Sequence, residues 1–537
     1  MKEVNQRTIP VQLIFFGLSL VVFVYVFLIN AWVVDDAYIT FRTVDNFLHG
    51  YGLRWNVDER VQVYTHPLWM LVMVVGSFIT SDVFFTSIAL SFFCSLGAIL
   101  IVVVTMTQRF RVHTWKATLL VIALCCSKAF IDYTSSGLEN SLSYLTVALF
   151  FAALLSFNKA LPQINRRDFT LLFFFAALAF VNRMDTLLLC LPALIYAGIA
   201  ARTLRPRELL RHILLGTLPA TLWVLFSVVY YGFPLPNTAY AKMISYGFPV
   251  TWRLSRGLEY LSNSVSWDPY SYLLLLLPVF LWVKKRDAVT ACLLGGIVLY
   301  LLYVLFYAAS ATHMSGRFFA LPFFVAFVLA ISQLNNPRVA LVLTTFSIVY
   351  VVWNPISSIK FGGPTYQIYA QDSNRIDAKW YVAQQGGALV DWAPGRTLPD
   401  HQWYHDGERV RNTPGKVHVG GSFGSFRNAI GYFGYAAGPQ KFIIDIVGLG
   451  DPLLGRLPAV RPNDPTKWKS GHFLRAIPDG YLESVERDTN VVRQEGIHEY
   501  YDKIRIITRG NIFSWERFKT IWRMNVGAYD YLISQRS

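Results

Sequence analysis

The chain has 537 residues; 54% are hydrophobic and 16% aromatic, but only 15% are charged, and the mean hydropathy is +0.39. A soluble globular protein carries about 25% charged residues, so an ordinary string of soluble domains is excluded. Disorder is excluded as well, because the apolar content is too high. The net charge of +15, from 48 Lys+Arg against 33 Asp+Glu, shows no basic stripe interleaved with aromatics. It is read as basic membrane-flanking loops rather than a nucleic-acid surface.

The first apolar run, 11–34, follows Lys2 and Arg7. It is too long for a signal-peptide core and has no small-x-small cleavage site, so it is expected to be a retained anchor with a cytoplasmic N-terminus. The next run, 67–80, has 14 residues, short of the ~20 that cross a bilayer. Placing it at the interface leaves the basic loop Arg109, Arg111 and Lys116 cytoplasmic. Spans then alternate over 83–107, 116–133, 140–157, 169–182, 186–201, 209–231, 269–283, 288–310, 317–334 and 338–354. With the first, that makes about eleven transmembrane helices. The clusters Lys159/Arg166/Arg167, Arg202/Arg205/Arg207 and Lys284/Lys285/Arg286 all fall on the cytoplasmic side.

After Trp353 the hydropathy collapses. The expected organisation is a polytopic α-helical membrane domain over 1–354 and a mixed α/β soluble domain over 355–537 on the outer face. In the latter, Lys416–Val419, Lys441–Val447 and Ile504–Thr508 read as β-like. Ala378–Gln385 and Trp515–Met524 read as helical. The five cysteines, Cys94, Cys125, Cys126, Cys190 and Cys292, all lie in apolar stretches, with no Cys/His metal spacing. The cysteine-free tail is compatible with an oxidising compartment.

Charges at a membrane edge are costly and need a reason. On this topology the unexplained ones share the outer face. With the other polar residues that composition does not explain, they are Asp35 and Asp36 at the end of the first span, His66 in the first loop, and Glu139 in SSGLEN. With them come Arg183 and Asp185 in VNRMD, Asn237 and Lys242 in PNTAYAK, and His313 and Arg317 in HMSGR. Polar groups converging from separate hairpins mark a site. Blander readings stand beside this one. A pair of aspartates caps a helix, Arg183 and Asp185 make a local ion pair, and His66 merely starts a helix. Arg42, Arg54, Arg60 and Arg253 are read as head-group contacts.

A carboxylate beside a membrane groove serves as general base on a hydroxyl, or a carboxylate pair holds a divalent cation. Arg and Lys bind a phosphate. Together these groups suit group transfer from a phosphate-linked lipid; a transporter of an anionic lipid would use the same set.

The segments DDAYITFR, GYGLRWN, ERVQVYTHPLW, SSGLEN, NRMDTLLL, PNTAYAK and HMSGRFF occur in this order, followed by IIDIVGLGDPLLGRLP and GHFLRAIPDGYLES. The arrangement resembles polytopic glycosyltransferases of the GT-C superfamily. Within it, the pattern is similar to the family that holds mycobacterial terminal arabinofuranosyltransferase, flagellar motor control proteins and pilin arabinosyltransferases. The resemblance implies a polyprenyl-phosphate sugar donor, D-arabinofuranose as the pentose, and an envelope glycan or a pilin as acceptor, in the bacterial inner membrane. It implies a first-loop carboxylate as base, Asp35 ahead of Asp36, and places the family's tyrosine-threonine-polar-proline stretch on Tyr64 to Pro67; with that activity, Arg317, Lys242 and Arg183 are expected to hold the phosphate. A non-enzymatic scaffold or regulator of a flagellar or secretion machine is the alternative expectation.

Overall fold

The computed structural model describes residues 11–110, 114–243, 248–307, 314–358, 360, 377–420, 429–460, 471 and 473–534. The chain is a multi-pass helical membrane protein. Helix α1 covers Val11–Asn30, α2 Asp35–Leu48, α3 Pro67–Thr80 and α4 Val83–Phe110. Helices α5 (Thr114–Cys126), α6 (Lys128–Thr134), α7 (Asn140–Ala160), α8 (Arg166–Asn182), α9 (Thr186–Ala200) and α10 (Pro206–Tyr230) follow. Then come α11 (Asn237–Met243), α12 (Val250–Trp267), α13 (Pro269–Lys285), α14 (Ala288–Phe306), α15 (Ala320–Gln333) and α16 (Pro337–Trp353).

Among the described residues, six helices are by themselves long and apolar enough to cross a membrane, and one pair passes the same length and composition test only when taken together across a bend. The other stretches expected to cross are helices of 14 to 17 residues: α8, α13, α15 and α16. Two expectations change. The run 116–133 is not one straight span: α5 and α6 meet at an 80° break. The Ser127 hydroxyl caps the new helix by accepting from the Phe130 amide. Helix α12, amphipathic and not anticipated, joins the set. His66 at the start of α3 meets Glu139 at the head of α7. Just past the end of α3, Phe85 packs its ring on Trp392 of the tail at 6.3 Å.

The tail carries helices α17 (Ala378–Val382), α18 (Gln402–Arg411), α19 (Tyr432–Ala437), α20 (Tyr481–Glu486), α21 (Glu495–Arg509), α22 (Trp515–Asn525) and α23 (Tyr531–Ser534). Strands β1 (Val417–Gly420) and β2 (Phe442–Asp445) pair in parallel, Val417 opposite Phe442. Ile504–Thr508 is not β: it lies inside α21, whose Ile504 and Ile507 are buried on one face three residues apart.

The tail shares its core with the membrane part. Leu398, Trp403 and Tyr432 belong to the cluster that runs through α1, α7 and α15. Ile39, Trp55, Val61 and Val63 of the first loop pack with Ile430, Phe433 and Ile443. This cover corrects the reading of two arginines as head-group contacts. Arg42 is buried, stacks 4.8 Å above Trp55, and donates to the carbonyls of Trp55, Gly434 and Lys441. Arg60 donates to the Gly510 carbonyl. A buried guanidinium must find acceptors, and here the tail backbone supplies them.

Candidate functional site

The charged residues of the site meet where α2, α3, α7, α9 and α15 begin and α8 ends. Glu139, fully buried, is their hub. Its carboxylate receives the Arg183 guanidinium at 2.6 Å and Arg317 at 3.2 Å, and lies 3.0 Å from His66 Nδ1. The other ring nitrogen of His66 is 2.7 Å from the Thr40 hydroxyl. Thr40 lies one turn beyond Asp36 on α2, so the two share a face. Arg317 closes the circuit by approaching Asp36 at 3.9 Å.

Arg183 is saturated by carboxylates. Its Nε and Nη2 grip both oxygens of Asp185 at 2.7 to 2.9 Å while Nη1 serves Glu139. The guanidinium lies 4.7 Å over the Phe318 ring, and Tyr300 of α14 donates to Asp185 at 3.4 Å. Arg317 is different. One side holds Glu139, but its buried Nε has no partner among the described residues. Lys242 on α11 has an accessible side chain and feels the fields of Asp36, Arg317 and Arg183.

Local sequence explains how these groups come together. Gly137 adopts φ +76°, and a Cβ there would lie 2.6 Å from Val33 and 2.9 Å from Ala37. Only glycine lets the SSGLE turn slide beneath α2 and present Glu139 to His66. The Trp69 indole donates to the Gly137 carbonyl at 2.9 Å and fixes α3 to the same turn.

The two aspartates part company. Asp35 is buried, and its carboxylate accepts from the Tyr432 amide at 2.7 Å. Burial, and secondarily the charge of Asp36, pushes its pKa up from 3.8 to about 7 against the pull of the Tyr432 and Gly431 amides. A Cβ on Gly431 would fall 1.8 Å from the Asp35 carbonyl, so glycine is required at this contact. Asp36 keeps 44% of its side chain exposed and faces the arginines.

The structure does not bring every expected residue to the cluster. Tyr64 is buried with its hydroxyl 2.8 Å from that of Tyr231, packed among aromatics. Asn237 is a bracket for the tail. Its amide donates to the carbonyls of Gly448, Leu449 and Asp451, and its oxygen accepts from Arg456 at 2.8 Å. The Tyr64 hydroxyl is paired with Tyr231, and the side-chain amide of Asn237 is used on backbone carbonyls and Arg456. His313 lies outside the described residues.

Two carboxylates of the cluster are not free for a divalent cation. Glu139 and Asp185 are already neutralised by arginines at hydrogen-bond distance. Among the described residues no group of three His, Cys, Asp or Glu is placed to hold a metal ion.

A second charged cluster was not expected. Lys128 bridges Asp132 and Asp377, and Lys379 bridges Asp132 at 2.6 Å and Asn30 at 2.8 Å, all buried. Its Lys128 and Asp132 lie on α6, just past the break. The signal in the sequence was the pair Lys128 and Asp132, four apart inside a stretch read as a single span. An apolar groove of about 410 Å³ opens between α8, α9 and α10, lined by Phe173, Phe180, Leu187, Leu194, Thr221 and Leu225. Its Leu187 lies two residues beyond Asp185.

No family model matches the chain. The chain is similar to the terminal β-(1→2)-arabinofuranosyltransferase of Mycobacterium tuberculosis, 29% identical over 245 residues, 43% of this chain and 37% of that protein. The enzyme of the same name from Corynebacterium glutamicum is 28% identical over 238 residues, 40% of this chain and 33% of that protein. The matches thus span about a third of the length of these curated relatives. A solved structure, ArnT from Cupriavidus metallidurans bound to undecaprenyl phosphate, superposes at a TM-score of 0.48 and 13% identity, covering 80% of this chain and 85% of that one.

Proposed function

We propose that the chain is a membrane glycosyltransferase that takes a pentose, D-arabinofuranose, from a polyprenyl phosphate. It passes the sugar to an envelope glycan or an exported protein such as pilin, at the outer face of the bacterial inner membrane. The observation that carries this reading is the Arg317 guanidinium. It is braced by Glu139, has an unsatisfied buried Nε, and lies between the exposed carboxylate of Asp36 and the field of Lys242. An unpaired buried donor beside further positive charge is a seat for an anion. The apolar groove beyond Asp185 suits an isoprenoid tail. The similarity to two arabinofuranosyltransferases supports the choice of sugar.

In the proposed reaction the acceptor hydroxyl attacks the anomeric carbon. The bond from that carbon to the phosphate oxygen breaks, and the oxygen leaves with the electron pair. Asp36 takes the hydroxyl proton. Arg317 and Lys242 stabilise the charge gathering on the departing phosphate. Arg183 acts at one remove by keeping Glu139 and Asp185 in place. Asp36 replaces Asp35 as the preferred base, because the Asp35 carboxylate is buried against the Tyr432 amide.

The test is sugar transfer by the reconstituted full chain from a synthetic polyprenyl-phosphate arabinose. Asp36→Asn is expected to lower kcat by ~10²-fold or more, within the range of general-base loss, while donor binding persists. Asp35→Asn is expected to keep most of the rate. Wild-type transfer by Asp36→Asn overturns the base assignment, and no transfer by the wild-type chain to any glycan or pilin acceptor overturns the function.

A further inference from the structure

Helix α22 has two faces of opposite character. Arg517, Thr520, Ile521 and Met524 are buried. The other face exposes Trp515, Glu516, Lys519, Trp522, Arg523 and Val526, and Phe513 precedes it; Trp515, Trp522 and Phe513 are 71–80% exposed. Trp515 and Trp522 are seven residues apart, so they stack in one stripe with the two cations beside them. A stripe of large aromatics this open is unusual for a surface that meets only water.

The buried face fixes where the stripe lies. Arg517 donates to the carbonyls of Val229 at 2.7 Å and Tyr230 at 2.9 Å, the last two residues of α10. It thereby satisfies acceptors that the end of a helix leaves open. Asn525 donates to Gly232 at 2.8 Å. A Cβ on Gly232 would come within 2.3 Å of Ile507 and 3.3 Å of Ile521, so the tail lies directly on this turn. The exposed flank of α10 includes Leu218, Leu222 and Leu225, a lipid-facing stripe on a span. From Leu225 to Tyr230 the helix rises only ~7 Å. The polar layer on each side of the hydrocarbon is about 5–7 Å deep. Helix α22 therefore sits at head-group height, continuous with a surface already in lipid.

We propose that the exposed face of α22 is a membrane-docking surface. Phe513, Trp515 and Trp522 sit in the interfacial layer beside α10, and Lys519 and Arg523 meet lipid phosphates. The composition is that of an interfacial helix, with aromatics at the boundary and basic residues reaching anionic head groups. Its role is to hold the tail at a fixed height over the bundle, so that the mouth containing Asp36 and Lys242 does not lift from the bilayer.

The test uses the full chain reconstituted in phosphatidylcholine–phosphatidylglycerol vesicles. A bimane label is placed at Trp515→Cys or at Trp522→Cys in separate samples. Docking predicts a blue-shifted emission, quenching by lipids doxyl-labelled near the carbonyl level, and loss of access to aqueous iodide. Exchange into pure phosphatidylcholine is expected to reduce the shift, and Lys519→Glu with Arg523→Glu to reduce it further. Free iodide access with no lipid quenching overturns the proposal. So does protection from both quenchers that disappears on dilution to one chain per vesicle, which marks a second copy as the occupant. Both labelled positions are exposed, so folding is preserved, and the circular dichroism of each variant verifies it.

Discussion

At the scale of single residues, the two adjacent aspartates show how environment divides chemistry. Asp35 spends its carboxylate on the tail and Asp36 keeps its own open. The raised pKa of Asp35 has a measurable consequence. The folded state binds this proton more tightly than the unfolded chain, so Asp35 favours folding fully below its unfolded value near 3.8. That contribution is lost as the pH rises to about 7. Asp35→Asn is expected to flatten the fall in melting temperature across this window, read by intrinsic fluorescence. The slope is not abolished, because burial also raises Asp451 to about 6 and Glu59 to about 8. Glu139 is the residue whose loss should cost most. Glu139→Gln leaves Arg183 and Arg317 buried with less negative charge; breaking such a pair costs ~3–5 kcal/mol. A melting point little changed from wild type would show that Asp185 and Asp36 suffice for the two arginines.

At the scale of elements, the α5–α6 break turns a hydrophobic run into a support. The indole of Trp32 donates to the Asp132 carbonyl at 2.7 Å, and the amide of Val33 to Gly387 at 3.0 Å. Lys379, through Asp132 and Asn30, ties the end of α1 to α6 and to the tail. The short link from Asn30 to Asp35 is thus fixed on both sides before α2 begins. Lys379→Met is expected to destabilise the protein by ~3–5 kcal/mol, since it strands Asp132 with a single cation. If the link matters to the site, transfer also falls at temperatures where the protein remains folded. A variant that melts lower but transfers at the wild-type rate would confine the network to stability. The sequence showed these elements unevenly. The bounds of α3 could be read from hydropathy as the 67–80 run, and β2 lies within the β-like run expected over Lys441–Val447. The bend after Cys126 could not, because an apolar composition does not distinguish a straight span from a broken one.

At the scale of the whole molecule, the tail and the first loop are one packed body. Arg42 and Asn56 of the loop supply partners to the backbone of α19 and β2. Trp55 lies beneath Gly434 and Gly450, where a Cβ would sit 3.0–3.1 Å from its ring. Removing residues 377–537 is expected to expose Trp55 and the Arg42 guanidinium and to turn a monodisperse detergent-solubilised chain into aggregates, seen by size-exclusion chromatography. The tail expressed alone is expected to lack the near-ultraviolet dichroism of fixed aromatics. A stable, soluble, well-packed tail would contradict both expectations.

The sequence by itself determined that the chain lives in lipid, because scarce charge and long apolar runs admit no other solvent. It also marked most of the residues now found together, since an ionisable group at a membrane edge needs a reason wherever it lies. Glu139, Arg183, Asp185, His66, Arg317 and Asp36 could be named from position alone. Which of them touch was decided by tertiary structure. Contact depends on a glycine turn that admits Glu139 beneath α2, and on a tail that folds back to bury Asp35 and leave Asp36 open. Asn237 and Tyr64 were drawn into the same list by their motifs, and packing assigned them to the scaffold. Partner choice in a buried polar group is set by whichever donor or acceptor the fold brings within about 3 Å, and no local pattern in the chain encodes that distance.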